Sequence, residues 1–256
     1  MKTTILLLAL SLTATRVFSE DAAPPAAADA KPADGAAAAP AKRGLLKYTP
    51  PKTAGGGARI DGDGGSRGPD VKLPGICVLA PKEAAVTTNE QPSLYWYQAG
   101  PMPEKVLKTA RVEITVLDPK NPKPLVKVAS ALAGQKDAGA GIHRLALGKQ
   151  KVSLQPGVTY KWTVALIPDP ANRSQDVITS AAIQRIEPSK ELTAALSTAA
   201  PGDKAAVYAQ NGVWYDAVEA ISAEIDKDPK NTDARKMRGE LLEQGGLKDA
   251  AAFDKK

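Results

Sequence analysis

The residues that most suggest chemistry are four polar side chains within eight positions of one another, Asp169, Asn172, Arg173 and Asp176. The guanidinium of Arg173 can form paired hydrogen bonds with a carboxylate, whereas Asp and Asn oxygens accept backbone hydrogen bonds and set turns. One interpretation, which we favour, is a self-contained turn in which Arg173 pairs with Asp169 or Asp176. The other is a contact with a ligand or a partner, so the four residues are binding candidates.

A second group of candidates lies in the last quarter of the chain, and it consists of Tyr208, Trp214, Tyr215 and Asp216. From residue 204 onward the apolar residues recur with a period of about 3.6, which predicts helices. Grooves between helices bind peptides through apolar side chains. We therefore predict a protein-binding groove between Tyr208, Trp214 and Tyr215.

Residues for the common catalytic and metal sites are scarce. His143 is the only histidine and Cys77 the only cysteine, so one chain can assemble neither a zinc site nor a Cys-His pair. No Gly-x-Ser-x-Gly motif accompanies the histidine. Residues 61–65 look like the start of a calcium loop but lack its later ligands and flanking helices. The sequence predicts no catalytic residue, no metal and no cofactor, and therefore a protein that is not an enzyme.

The elements that position these candidates are organised around residues 154–186. Residues 159–166 alternate in polarity, with Tyr160 and Trp162 on the apolar face, as a half-buried strand requires. Turn residues bound this strand, and residues 177–186 can return as its partner. About seven short strands separated by turns predict an antiparallel β-sandwich over residues 71–187.

A small helical cap is predicted over residues 188–256, so the fold class is mostly β with an α C-terminus. Ser189 is placed to cap its first helix, and Gly245-Gly246 ends the last one. In the sandwich, Tyr95 and Tyr97 point away from the face that carries Trp96. We predict that the helical cap covers both tyrosines. The alternative is an exposed aromatic platform suited to sugars.

The first 70 residues differ in composition from the rest. Residues 1–19 combine a basic start, a short apolar stretch and small residues before Glu20, which predicts a cleavable signal peptide. Residues 20–70 are mostly Ala, Pro, Gly, Lys and Asp, and their burial cannot offset the entropy of ordering them. We predict a disordered tail there. Tyr48, flanked by Leu45, Leu46 and Lys47, belongs to an isolated apolar cluster or, alternatively, to a short docking motif.

Charge and hydropathy narrow the range of partners. The formal net charge is +6, and cleavage after residue 19 would remove Lys2 and Arg16 and leave +4. This mild excess is not arranged as a basic stripe interleaved with aromatic residues, so nucleic acid is not expected as a partner. No segment beyond the predicted signal peptide is long and apolar enough to cross a membrane.

Several motifs resemble known families. Residues 92–96 and 154–162 resemble an immunoglobulin-like or fibronectin-III-like sandwich, with Tyr160 placed as a tyrosine corner. The spacing of Tyr208, Trp214 and the apolar residues after them resembles a tetratricopeptide helical hairpin. The chain as a whole, over roughly residues 73–247, is similar to the bacterial domain-of-unknown-function family 928 through residues 78–81, 95–97, 160–166, 169–174 and 208–216. That resemblance implies an exported or envelope protein without an assigned activity.

These observations lead to one functional expectation and one alternative. We expect a secreted bacterial protein, periplasmic or extracellular, that serves as a non-catalytic protein-interaction module of the cell envelope. Its partner would be another envelope protein. The alternative is a β-sandwich that binds carbohydrate or a cell-wall polymer through Tyr95 and Tyr97.

The predicted signal peptide can be tested on the protein purified from the producing bacterium. We expect the mature chain to begin at Glu20, because the small Ser19 directly precedes it. Intact-mass measurement and N-terminal sequencing check this expectation. A chain that retains Met1 would contradict it.

Overall fold

The structure is a computed structural model that describes residues 46–51, 59–61, 71–83 and 85–255. The predicted signal peptide and most of the predicted tail lie outside these residues. Within them the chain forms eight strands and six α-helices. The strands are Ile76–Val78 (β1), Ala85–Thr87 (β2), Ser93–Gln98 (β3), Arg111–Leu117 (β4), Val126–Ala131 (β5), Gly141–Ala146 (β6), Thr159–Ile167 (β7) and Val177–Arg185 (β8). The helices are Glu104–Leu107 (α1), Lys190–Thr198 (α2), Lys204–Gln210 (α3), Trp214–Lys227 (α4), Thr232–Gln244 (α5) and Lys248–Asp254 (α6).

The strands form two sheets in which all pairings but one are antiparallel. The order is β2-β8-β7-β4-β5 in the five-stranded sheet and β1-β3-β6 in the three-stranded sheet. The exception is β2, which runs parallel to β8 with Ala85 opposite Ile183. One buried apolar cluster contains side chains from both sheets and from the helices. The coarse prediction, mostly β with a helical C-terminal end, is therefore confirmed.

The alternation predicted for the central strand is present in β7. Tyr160, Trp162 and Val164 are buried, whereas Lys161 between the first two is exposed. On the neighbouring strand β4, Ile114 lies opposite Val164 and is buried with them. The strand that the sequence did not reveal is β2, because a strand of three residues is too short to display a period of two.

The N-cap predicted at Ser189 is present, whereas Asp203, which could have capped α3, makes no side-chain capping bond. Ser189 Oγ accepts a hydrogen bond from Leu192 N (3.1 Å) at the start of α2. Asn231 Oδ1 does the same for Ala234 N (2.9 Å) at the start of α5. The last helix, α6, was not predicted, since seven residues with three alanines show little apolar periodicity. It follows a turn in which Gly246 has a φ of +74°.

A buried ion pair holds α6 in place. Arg238 on α5 donates from Nε to Asp254 Oδ2 (2.6 Å) and from Nη2 to Asp254 Oδ1 (2.7 Å). Its Nη1 donates to Ser222 Oγ on α4 (2.9 Å). Removing one partner of such a buried pair typically costs about 3–5 kcal/mol, because the other charge is left uncompensated. The three last helices are thus joined by one guanidinium.

Two short parts of the predicted tail pack against the folded body, so the predicted boundary at residue 70 is wrong for them. Leu46 and Tyr48 are buried. Arg59 donates to the carbonyl oxygens of Ala80 (2.7 Å) and Gly245 (3.0 Å). Ile60 exchanges backbone hydrogen bonds with a residue of β8. The burial of a few large side chains offsets the entropy lost in ordering these two parts, although the tail as a whole has too few such side chains.

The helices are joined to the sheets through the hydroxyl of Tyr215 on α4. Trp162 Nε1 donates to Tyr215 Oη (2.9 Å), and Tyr215 Oη donates to the carbonyl oxygen of Ala182 on β8 (3.0 Å). The neighbouring Trp214 donates from Nε1 to the carbonyl oxygen of Leu79 (2.8 Å). Both aromatic side chains of the first turn of α4 therefore bind buried polar groups of the sheet region.

We expect Tyr215→Phe to lower the free energy of unfolding by about 1–3 kcal/mol, because it leaves the buried Trp162 N–H without its acceptor and removes one donor from the Ala182 carbonyl. Urea denaturation measures the change. Tyr208→Phe is the matched control, since the Tyr208 hydroxyl is half-buried and makes no hydrogen bond to another described residue. The control should stay within about 0.5 kcal/mol of the wild type. Equal stability of the two variants would contradict the prediction.

Candidate functional site

The first group of candidates lies in the loop between β7 and β8, and two of its members set the turn. Asp169 Oδ1 accepts a hydrogen bond from Ala171 N (2.9 Å). Asn172 Oδ1 accepts from Ser174 N (3.3 Å) and from Ser174 Oγ (2.7 Å). Both side chains therefore act on their own backbone, as Asp and Asn commonly do in turns.

Arg173 is held by two carboxylates of the same chain. Its Nε donates to Asp176 Oδ2 (2.5 Å) and its Nη2 to Glu113 Oε1 on β4 (3.2 Å). These hydrogen bonds raise the pKa of the Arg173 guanidinium further above its ordinary value, so the group stays charged. Of the two pairings considered from the sequence, the one with Asp176 is observed. The geometry is that of the predicted turn, which Glu113 additionally ties to β4.

Sequence reasoning missed Glu113 as a member of this cluster. It lies 60 positions before Arg173, on the face of β4 opposite to the buried Val112 and Ile114. Its other oxygen is 3.6 Å from Lys127 Nζ on β5. Charges of alternating sign thus run from the loop across two strands. The alternation along β4 placed Glu113 outward, but only the fold brings the loop to it.

The second group of candidates does not form an open groove. Tyr215 lies at the junction of the helices and the sheets, as described above. Trp214 is fully buried, and the ring of Tyr48 covers it edge-on at a centroid distance of 4.9 Å. Only Tyr208 is half-exposed. The predicted groove between the three aromatic residues is therefore filled by the protein itself.

Asp216 is a buried carboxylate that binds the segment after β2. Its oxygens accept hydrogen bonds from Thr87 Oγ1 (2.6 Å), Thr88 Oγ1 (2.7 Å) and Thr88 N (3.1 Å). Burial raises the pKa of the Asp216 carboxyl above its ordinary value, and the nearby Glu219 adds to this, although the threonine donors act in the opposite direction. Asp216 is therefore placed to hold α4 against β2.

The tyrosines considered as a sugar platform are buried beneath the helices. Tyr95 and Tyr97 are 4 % and 8 % exposed. The ring of Tyr97 contacts Phe253 of α6 at a centroid distance of 5.4 Å. Helix α4 lies over the same sheet, where Glu219 Oε1 accepts a hydrogen bond from Ser93 Oγ (2.6 Å). The predicted cover is confirmed, and the aromatic platform required by the alternative is not present.

The lone histidine and the lone cysteine are not brought together into a reactive pair. His143 Nε2 lies 2.6 Å from the carbonyl oxygen of Gly139, and its ring stacks on Trp96 at 5.2 Å. Burial raises the pKa of the Cys77 thiol to about 12, so the reactive thiolate is disfavoured. Across the described part of the chain, no cluster of three or more His, Cys, Asp or Glu residues could hold a metal ion. None of the described helices is long and apolar enough to span a membrane.

The structure thus defines a two-sheet protein with a helical C-terminal end, in which the candidate polar side chains bind other groups of the same chain. The family model described as Domain of Unknown Function (DUF928) matches residues 62–253. That match covers most of the chain, and the chain belongs to this family. A search of curated proteins finds no match.

The raised pKa of Asp216 predicts the sign of a pH effect. The folded state binds the proton more tightly than the unfolded state, so the contribution of Asp216 to stability is greatest at low pH. It should fall as the pH rises above the ordinary aspartate pKa of about 3.9. The measured quantity is the unfolding free energy of the wild type minus that of Asp216→Asn, determined by urea denaturation from about pH 3.5 to about pH 7. We expect this value to fall as the pH rises, and a value that rises with pH would contradict the prediction.

Proposed function

We propose that this chain is an exported bacterial protein that serves as a non-catalytic protein-interaction module of the cell envelope. The signal-like residues 1–19 support export, and the scarcity of catalytic residue types supports a role in binding. The observation that carries the proposal is the outer edge of β5. This strand pairs with β4 alone among the described strands. Such an edge can accept an extended segment of another protein as an additional strand.

The edge of β5 has the geometry that strand addition requires. Leu132 N donates to the carbonyl oxygen of Ala110 (3.0 Å), one position beyond the pair Arg111 and Ala131. Because hydrogen-bonded and non-hydrogen-bonded pairs alternate, the backbone groups of Lys127, Ala129 and Ala131 point away from β4, and all three residues are exposed. The carbonyl oxygen of Ala131 already accepts a hydrogen bond from Gln135 Nε2 (2.6 Å), so the proposed strand addition rests on Lys127 and Ala129. Lys127 discourages indiscriminate pairing at such an edge, which favours a specific partner.

Carbohydrate binding through Tyr95 and Tyr97 is not proposed, since both rings are buried under α4 and α6. Aromatic sugar platforms need exposed rings. Protein interaction through β5 does not depend on them.

We further propose that the sheets form an immunoglobulin-like sandwich and that the helices form two tetratricopeptide-like hairpins. In support of the first, Gln155 N donates to Tyr160 Oη (3.0 Å), five positions upstream, as in a tyrosine corner. In support of the second, α3 packs on α4 and α5 packs on α6. Two such hairpins cannot bury a continuous core alone. Their docking on both sheets, through β2 and β8 of one and β3 and β6 of the other, supplies the missing surface.

The edge proposal is tested with the variant Ala129→Pro, which removes one outward N–H without removing a bond to β4. The matched control is Ala129→Thr, which keeps the N–H and favours the strand. In cross-linking capture from envelopes of the producing bacterium, we expect one defined protein partner with the wild type and with Ala129→Thr. We expect at least about a tenfold loss with Ala129→Pro, equivalent to about 1.4 kcal/mol. Equal capture by both variants would argue against the edge.

A further inference from the structure

Residues 46–51, here called the arm, lie on the helical end of the body as an extended peptide would. Leu46 and Tyr48 are buried, whereas Lys47 between them is exposed. That alternation is typical of an extended segment with one face against a surface. The surface is formed by the end of α3, the start of α4 and the end of α5, and is called the slot.

The slot binds the backbone of the arm through a side-chain amide. Gln244 Oε1 accepts a hydrogen bond from Tyr48 N (2.8 Å), and Gln244 Nε2 donates to the carbonyl oxygen of Leu46 (2.8 Å). Thr49 N donates to the carbonyl oxygen of Ala209 at the end of α3 (3.0 Å). Main-chain bonds of this kind provide affinity for an extended peptide, while pockets for alternate side chains provide specificity.

The shape of the slot depends on two glycines. Gly212 has a φ of +76°, and a Cβ there would lie 2.7 Å from the carbonyl oxygen of Thr49. A Cβ on Gly245 would lie 2.3 Å from the ring of Trp214, the ring on which Tyr48 packs. The missing side chains allow the arm to approach the turn and α5 to approach the indole. A cavity of about 570 Å³ beside Leu46, also lined by Glu240 and Gln244, continues the slot beyond the arm.

We propose that the slot is a recognition site for an extended Leu-x-Tyr segment, that the arm fills it in cis, and that in trans it takes the arm of a second copy of this chain. Every copy carries both the slot and its ligand, so exchange between two copies requires no new type of contact. Residues 52–58 join the arm to Arg59, and seven extended residues reach about 25 Å. The inference rests on the proposed protein-binding function and adds a second surface, formed by residues other than those of β5. Its test leaves β5 unchanged, so strand addition at β5 and arm exchange at the slot can each fail independently.

The first test uses the full mature chain carrying Leu46→Ala and Tyr48→Ala, together with a fluorescent peptide of residues 45–51. We expect the double variant to bind the peptide at least about tenfold more tightly than the wild type, because a tethered arm competes at an effective concentration of about 1 mM. Adding Gln244→Ala should weaken binding at least about tenfold. A peptide with alanine in place of Leu46 and Tyr48 should not bind.

The second test mixes two full-length chains, the double variant with an empty slot and Gln244→Ala with a weakened cis contact. Light scattering should show a 1:1 complex in the mixture and monomers of each chain alone. A folded double variant that does not bind the peptide overturns the proposal. Peptide binding without a complex overturns the second copy as the partner. If the double variant loses its native circular dichroism, the single variant Tyr48→Ala replaces it. Unfolding of the single variant as well would show that the arm is a fixed part of the core, which overturns exchange.

Discussion

The structure depends on a hydrogen-bonded junction between α4 and the five-stranded sheet, centred on the hydroxyl of Tyr215. That hydroxyl donates to the carbonyl oxygen of Ala182 on β8 and accepts from Nε1 of Trp162 on β7. Trp162 is fully buried, and a buried donor left without an acceptor costs about 1–3 kcal/mol. One side-chain oxygen thereby gives the Trp162 N–H its acceptor and fixes α4 against β7 and β8.

Because α4 is fixed in this way, the helices are part of the same core as the sheets. The described residues belong to one compact unit, and the change from strands to helices near residue 188 is a change of secondary structure within it. The acidic side of α4 binds Thr88, just after β2, through Asp216 and Ser93, at the start of β3, through Glu219. Arg238 then fixes α6, which covers Tyr97. Each of these contacts buries polar or aromatic groups that would otherwise face water.

Strand alternation and helix caps, which depend on residues close together in the sequence, were predictable. Contacts between residues far apart in the sequence were not. The alternation around Trp162 and the cap at Ser189 follow from neighbouring residues, and the structure has them. The partners of the candidate polar residues lie far away along the chain, as Glu113 does for Arg173. The periodic pattern of polar and apolar residues in one segment does not indicate which distant residue will lie beside it. The composition of residues 20–70 likewise predicted disorder on average, although the burial of Leu46 and Tyr48 depends on a surface made by the last helices.

The position of the arm has a consequence for the order of folding. Leu46 is synthesised early, yet its hydrogen-bond partner Gln244 follows 198 positions later. Closing a flexible loop of that size costs roughly 5 kcal/mol in chain entropy, before any constant term. Once Arg59 and Ile60 are attached to the body, only residues 52–58 remain to be closed, and the cost falls to roughly 2 kcal/mol. We therefore expect the arm to dock only after the C-terminal helices are in place, although it is synthesised long before them.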